Sequence, residues 1–237
     1  MDMTGELDTA LLRVDEANYL GKTVPDVSIV TESGPKKLFE IMDGQPTVLV
    51  LSYYTCGHVC PVTVQNLSRL SIDADAAGYR VVILSFDVKD TLQTMASVTA
   101  SIEEVPDNWT FGLLPAGESE RLTESVGFKF FFSERDKTFV HPSVLTFLSP
   151  GGEVMRYLYG AEPREQDVEL ALIESRNREP YLNEIVDMVA LTCYQFDATG
   201  SRYVLHPTLI FGAAGIGVLG LCGLATLASR KDSRGDS

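Results

Sequence analysis

Two stretches of this chain are apolar at nearly every position instead of every second one: Pro46–Tyr54 (PTVLVLSYY) and Arg80–Val88 (RVVILSFDV). A short continuous run of β-branched and aromatic residues predicts a strand buried on both faces. Between them, Val64, Leu67, Leu70 and Ile72 recur near the helical period, and Gly78 closes the segment as a helix C-terminus prefers. Strand, helix, strand predicts a right-handed crossover and a parallel pair. Upstream, VPDVSIVTESGPKKLFEI reads as a β-hairpin turning at Ser33-Gly34-Pro35. Downstream, Thr91–Glu104 predicts a helix and Val140–Leu148 a third strand. Ser149-Pro150-Gly151-Gly152 predicts a turn, Glu153–Gly160 its hairpin partner, and Glu165–Asn177 an amphipathic helix. The expected fold class is α/β, with a central mixed sheet of four or five strands and flanking helices.

One late segment breaks this pattern. Thr208–Ala228 (TLIFGAAGIGVLGLCGLATLA) carries no charge and has the length of a bilayer's hydrocarbon thickness. It is too glycine-rich to gain much from burial in a soluble core. Arg230, Lys231 and Arg234 follow it, whereas only Arg202 lies close on the other side. By the positive-inside rule the tail is cytoplasmic and the large domain lies across the membrane. Met1–Lys22 lacks the basic start and apolar centre of a signal peptide. Either a signal was removed or omitted before Met1, which is the expectation, or the tail span inserts by itself. The organisation expected is an N-terminal arm (1–23), a folded domain (24–178) and a juxtamembrane segment (179–204). A single transmembrane helix (205–229) and a short cytoplasmic tail (230–237) complete it. The expected location is the inner (cytoplasmic) membrane, with the main domain on the periplasmic or extracytoplasmic side.

The net charge of -14 argues against nucleic acid as a partner, since phosphates demand a basic face. It suits a soluble ectodomain and can steer basic partners. Four cysteines do not make a disulfide framework. Cys222 falls within the apolar run and reads as a small apolar residue. Cys193 stands alone before the run, and Cys56 and Cys60 form a close pair.

That pair lies in YYTCGHVCPVT, where the first buried strand ends and a helix begins, the place where α/β folds gather functional groups. Pro61 suits a first helical position, so Cys60 is expected at the cap and Cys56 in the loop. Three intervening residues let the two sulfurs converge as a disulfide or on one metal ion. A helix N-terminus favours the thiolate, which serves both exchange and soft-metal binding. Two inert buried cysteines are the plain alternative. His58 lies inside the loop and reads as a solvent-facing residue. His141 starts a strand and precedes Pro142; as a third donor it would complete a sulfur, sulfur, nitrogen set suited to copper.

Taken together these residues resemble the SCO/SenC family of copper-binding assembly proteins. The resemblance rests on Cys56-Gly57-His58-Val59-Cys60-Pro61 and the strand ending Ser85-Phe86-Asp87. Asn108-Trp109-Thr110-Phe111-Gly112 and the run from His141 to Pro150-Gly151-Gly152 complete it. It spans about residues 20–175. In a bacterial branch with a C-terminal span, RYLYG (Arg156–Gly160) and a late Cys193–Asp197 element look similar. Cys193, with His206 nearby in sequence, is a candidate second thiol or metal site; a juxtamembrane packing segment is the plainer reading. The resemblance implies a thioredoxin-like fold, copper bound by Cys56, Cys60 and His141, and a role in maturing a respiratory copper centre. The implied partners are a copper-containing oxidase or reductase subunit, a copper donor protein and the membrane. This chain departs from many members in carrying Gly57-His58 where a proline-aspartate pair stands, and in the Pro142 that follows His141.

Three functions fit these residues. One is a membrane-anchored copper metallochaperone. Another is a thiol-disulfide oxidoreductase, with Cys56 and Cys60 as a redox-active pair that reduces a client's copper-ligand cysteines. The last is a peroxidase with one activated cysteine, for which no arginine is obviously placed.

Overall fold

The computed structural model describes residues 13–55, 59–70, 72, 78–176, 194–197 and 200–205. The chain divides into two units, Met1–Leu182 and Asn183–Ser237.

In the first unit a seven-stranded mixed sheet runs β2-β1-β5-β4-β3-β8-β9. Its strands are β1 (Ser28–Thr31), β2 (Gly34–Lys37), β3 (Thr47–Ser52), β4 (Arg80–Ser85), β5 (Trp109–Leu113), β8 (Val144–Leu148) and β9 (Val154–Tyr159). β6 (Phe131–Ser133) and β7 (Thr138–Val140) form a separate hairpin. Among the described residues the α-helices are α1 (Leu38–Met42), α2 (Val59–Ser68), α3 (Leu92–Thr99), α4 (Ala116–Ser125) and α5 (Glu165–Arg176).

The two continuous apolar runs form the centre of the sheet. β3 pairs parallel with β4 from Thr47↔Arg80 to Ser52↔Ser85, and all six β3 residues are buried. β4 pairs parallel with β5, while β8 pairs antiparallel with β3 on its other side. A parallel β3–α2–β4 unit, followed by the antiparallel β8–β9 hairpin and α5, is a thioredoxin-like arrangement, as the family resemblance implies.

Several boundaries differ from expectation. The sheet has seven strands because Trp109–Leu113 pairs on both sides and recruits the β1–β2 hairpin. That hairpin turns one residue early: Thr31 pairs with Gly34, which holds the positive φ of 113° that glycine tolerates. Leu38–Met42, read as the hairpin's second arm, is helical instead and buries Leu38, Ile41 and Met42. The helix expected over Thr91–Glu104 stops at Thr99. The strand expected over Val140–Leu148 is broken at residues 141–143, where Pro142 has no N–H to give a ladder.

Residues within the expected arm pack onto the domain. Val14 is buried in the core with Leu49, Leu84 and Tyr157. Gly21 N–H donates to the Val154 carbonyl, and Val154 N–H donates to that of Lys22. Tyr159 accepts a hydrogen bond from Val14 N–H (3.1 Å), and the Arg13 guanidinium lies over its ring. Burial pushes the Tyr159 phenol up to about 12.

In the second unit, β10 (Tyr194–Asp197) and β11 (Arg202–Leu205) form an antiparallel hairpin, Tyr194 facing Leu205 and Asp197 facing Arg202. Apart from Leu205, the expected membrane helix and tail lie outside the described residues. Among the described residues no helix is long and apolar enough to cross a membrane.

Close strand contact at β5 gives a direct test. A Cβ on Gly112 would stand 2.3 Å from Ile29 Cγ2 and 3.1 Å from Leu84 Cδ2. Gly112→Ala is expected to lower stability by about 1–3 kcal/mol through overpacking, read as a fall in the urea midpoint. An unchanged midpoint would contradict this packing.

Candidate functional site

The site is built where β3 ends. Past Ser52 the parallel ladder stops, so the next backbone groups need other partners. Tyr54 N–H donates to Asp90 Oδ2 at 2.6 Å. The Tyr54 hydroxyl runs under the sheet to the carbonyls of Ile83 (2.9 Å) and Gly112 (2.8 Å), with Gly112 N–H 3.2 Å away. Burial pushes this phenol far above the ordinary tyrosine range, so it keeps its proton and remains a donor. The chain is thereby fixed at both the backbone and the side chain of Tyr54, two residues before Cys56.

Cys56, Gly57 and His58 lie outside the described residues, as do Cys193, His206 and Cys222. Cys60 is the second residue of α2, in the first helical turn and not at the cap. Pro61 therefore stands third in the helix, still within the turn whose N–H groups have no intrahelical acceptor. The bias of a pre-proline residue toward extended backbone is overridden at Cys60.

His141 meets this end of the sheet from the other side. β8 runs antiparallel to β3, with Val50 opposite Leu145, so the residues just before β8 lie beside those just after β3. The His141 ring stands 5.8 Å from Tyr53 and 5.5 Å from Phe86, edge-on to both, and 5.6 Å from Phe128. His141 also shares a small pocket with Ser52 of β3 and Thr63 of α2; Thr63 is one turn beyond Cys60. The half-buried imidazole has Nδ1 2.9 Å from the Pro142 carbonyl. A carbonyl only accepts, so this bond requires the proton on Nδ1. Pro142 thus both breaks the strand at His141 and orients its ring.

An aromatic shell surrounds this imidazole. Phe86 is buried and touches Tyr53, Phe128, Phe130 and Phe139. The Tyr53 hydroxyl bonds Thr138 of β7 and ties the strand end to the β6–β7 hairpin. No local pattern in the sequence marks this shell; Phe86 stands out there only within the apolar run Arg80–Val88 and in Ser85-Phe86-Asp87. Asp90 was missed as well, although an Asp-Thr pair opening a helix is a capping signal: Thr91 and Thr94 form a reciprocal cap.

A family model described as SCO1/SenC matches residues 17–172, well over half of the chain. No curated protein matches in a direct search. Among solved structures, the chain resembles an Aquifex aeolicus protein provisionally described as an electron transfer protein. The identity is 24%, with a TM-score of 0.62, covering 70% of this chain and 99% of that one. It also resembles BsSco, a member of the Sco family of cytochrome c oxidase assembly proteins in which a disulfide switch was identified. That match has 18% identity and a TM-score of 0.55 over 66% and 94% of the two chains. Arabidopsis thaliana ScoI, solved with copper bound, matches at 16% identity and a TM-score of 0.54 over 64% and 98%. At these identities the likeness shows the fold.

The anchoring of Tyr54 is testable by itself. Tyr54→Phe leaves two carbonyls and one N–H under the sheet without their hydroxyl partner. It is expected to cost about 1–3 kcal/mol of stability in chemical denaturation. A loss below about 0.5 kcal/mol, the low end for a single hydrogen bond, would contradict the anchoring role.

Proposed function

Since the chain belongs to the SCO1/SenC family, we propose that it is a membrane-anchored copper metallochaperone. It carries copper as cargo on Cys56, Cys60 and His141 and delivers it to the copper centre of a respiratory oxidase of the cytochrome c oxidase type. The observation that carries this reading is the placement of His141. It lies beside the strand end that leads into Cys56 and shares a pocket with the first turns of the helix that holds Cys60, its Nδ1 turned to a backbone carbonyl. Metal-bound histidines commonly engage their second nitrogen in this way. Two thiolates and an imidazole suit copper in both its oxidation states, and the aromatic shell around His141 limits the access of water.

Copper-bound ScoI and the Sco family's part in cytochrome c oxidase assembly support the copper and the client. The charge-free run Thr208–Ala228 followed by Arg230, Lys231 and Arg234 supports a single membrane anchor with the domain on the extracytoplasmic side. A copper donor protein on that side would load the site.

A second reading has its own observation. Cys60 lies in the first turn of α2, where the helix N-terminus favours a thiolate. The pair then also works as a thiol-disulfide oxidoreductase that reduces the client's copper-ligand cysteines.

The test is copper binding by the reduced full-length chain. It is expected to take up one copper ion per chain with a thiolate charge-transfer absorption in the Cu(II) state. Cys56→Ser and Cys60→Ser are expected to lose that band. His141→Ala is expected to weaken binding by at least the roughly 10–100-fold that loss of an outer-shell partner costs. If His141→Ala matches the parent in affinity and spectrum, His141 is not a ligand. Copper uptake no stronger than nonspecific binding would sink the chaperone reading.

A further inference from the structure

One buried carboxylate close to the site takes no part in the copper reading. Asp90 follows β4 and is only 8% exposed. Its Oδ2 accepts from Tyr54 N–H at 2.6 Å and from the Ser85 hydroxyl at 2.5 Å, and its Oδ1 lies 3.1 Å from Thr94 Oγ1 at the start of α3. Its own N–H donates to the Asp87 carbonyl and closes a tight turn. Three elements thus meet on one side chain: the end of β3, the end of β4 and the first turn of α3. Burying a carboxylate is costly unless donors replace its water, so the arrangement holds only while these donors stay in place.

From these contacts we infer that Asp90 is a positioning residue for the cysteine pair. The inference rests on the reading of Cys56 and Cys60 as the working thiols. Tyr54 is fixed by Asp90 at its backbone and by Ile83 and Gly112 at its hydroxyl. On the far side of the loop α2 begins at Val59. Only residues 55–58 bridge these two fixed points, so the direction in which the chain leaves Tyr54 sets how closely Cys56 approaches Cys60. Freeing Tyr54 N–H widens the range of that direction and lowers the effective concentration of one sulfur at the other. Ser85 works in the same unit. Its hydroxyl holds Asp90 and accepts from Asp87 N–H at 3.2 Å, which gives the Ser-Phe-Asp end of β4 a role in aligning the loop.

The test is the dithiol–disulfide equilibrium of the pair in the full-length chain, titrated against dithiothreitol and read by mass spectrometry of the peptide that spans Cys56 and Cys60. Cys56 and Cys60 together give up two protons and two electrons to form one S–S bond, and oxidised dithiothreitol takes up both. Asp90→Ala is expected to lower the constant for disulfide formation about tenfold, a rise of about 30 mV in potential. Ser85→Ala, which keeps the carboxylate, is expected to shift it the same way by less. Val168→Ala, a buried α5 substitution that removes no contact of this unit, serves as the stability control and is expected to leave the potential where it was. Potentials unchanged in folded Asp90→Ala and in Ser85→Ala would overturn the inference, as would an equal shift in Val168→Ala. If Asp90→Ala does not fold, Ser85→Ala decides alone. If the parent chain neither forms the disulfide nor binds copper, the proposed function fails first, and that result is read from the parent, not from the variants.

Discussion

The end of the β3 ladder governs the architecture of this site. β3 is buried along its whole length, so its hydrogen bonds must be complete, and they are until Ser52 pairs with Ser85. Beyond that point each buried backbone group needs a side-chain partner or must turn out to water. The chain does the first at Tyr54, through Asp90, and reaches the surface at Thr55, which is exposed. The segment that leads into Cys56 therefore starts where the sheet stops supplying partners. Antiparallel pairing of β8 with β3 brings the start of one strand to the end of the other. A histidine placed just before β8 then meets the same corner without any further structural device.

Around that corner the protein trades polar groups for rings. Tyr53, Phe86 and Phe128 face the imidazole, and Phe130 and Phe139 pack behind Phe86. In such surroundings a single directed hydrogen bond counts for more than in water, and the bond from Nδ1 to the Pro142 carbonyl is of that kind. It fixes one ring nitrogen against the backbone while the rings hold the plane of the imidazole. The two halves of the site are thus built differently. Hydrogen bonds fix the approach to the cysteines, and aromatic packing fixes the histidine.

What was legible in the sequence follows the same division. β3 and β4 announced themselves because a strand buried on both faces leaves an unbroken apolar run. α5 is found within a residue of its expected ends, since its pattern is local. β5 was harder: Trp109–Leu113 is short, contains Gly112 and becomes a strand only through partners on both sides. Leu38–Met42 looked extended because its apolar residues suit either period in so short a segment. Pro61 and Pro142 marked the backbone around Cys60 and His141, yet Pro61 misplaced the helix start by two residues. Asp90 and the aromatic shell were invisible for a physical reason. Their role depends on contacts across 36 positions for Tyr54–Asp90 and on rings drawn from four separate stretches of the chain, which no local pattern records.

Copper is expected on two thiolates and one imidazole, and X-ray absorption at the copper edge of the full-length chain, reduced and loaded with one equivalent of Cu(I), reads that donor set without an intermediary. Cys56, Cys60 and His141 as ligands give two sulfur neighbours and one nitrogen or oxygen neighbour with imidazole multiple scattering, the latter lost in His141→Ala. A spectrum with no sulfur neighbours, or an imidazole signal that survives His141→Ala, would contradict it.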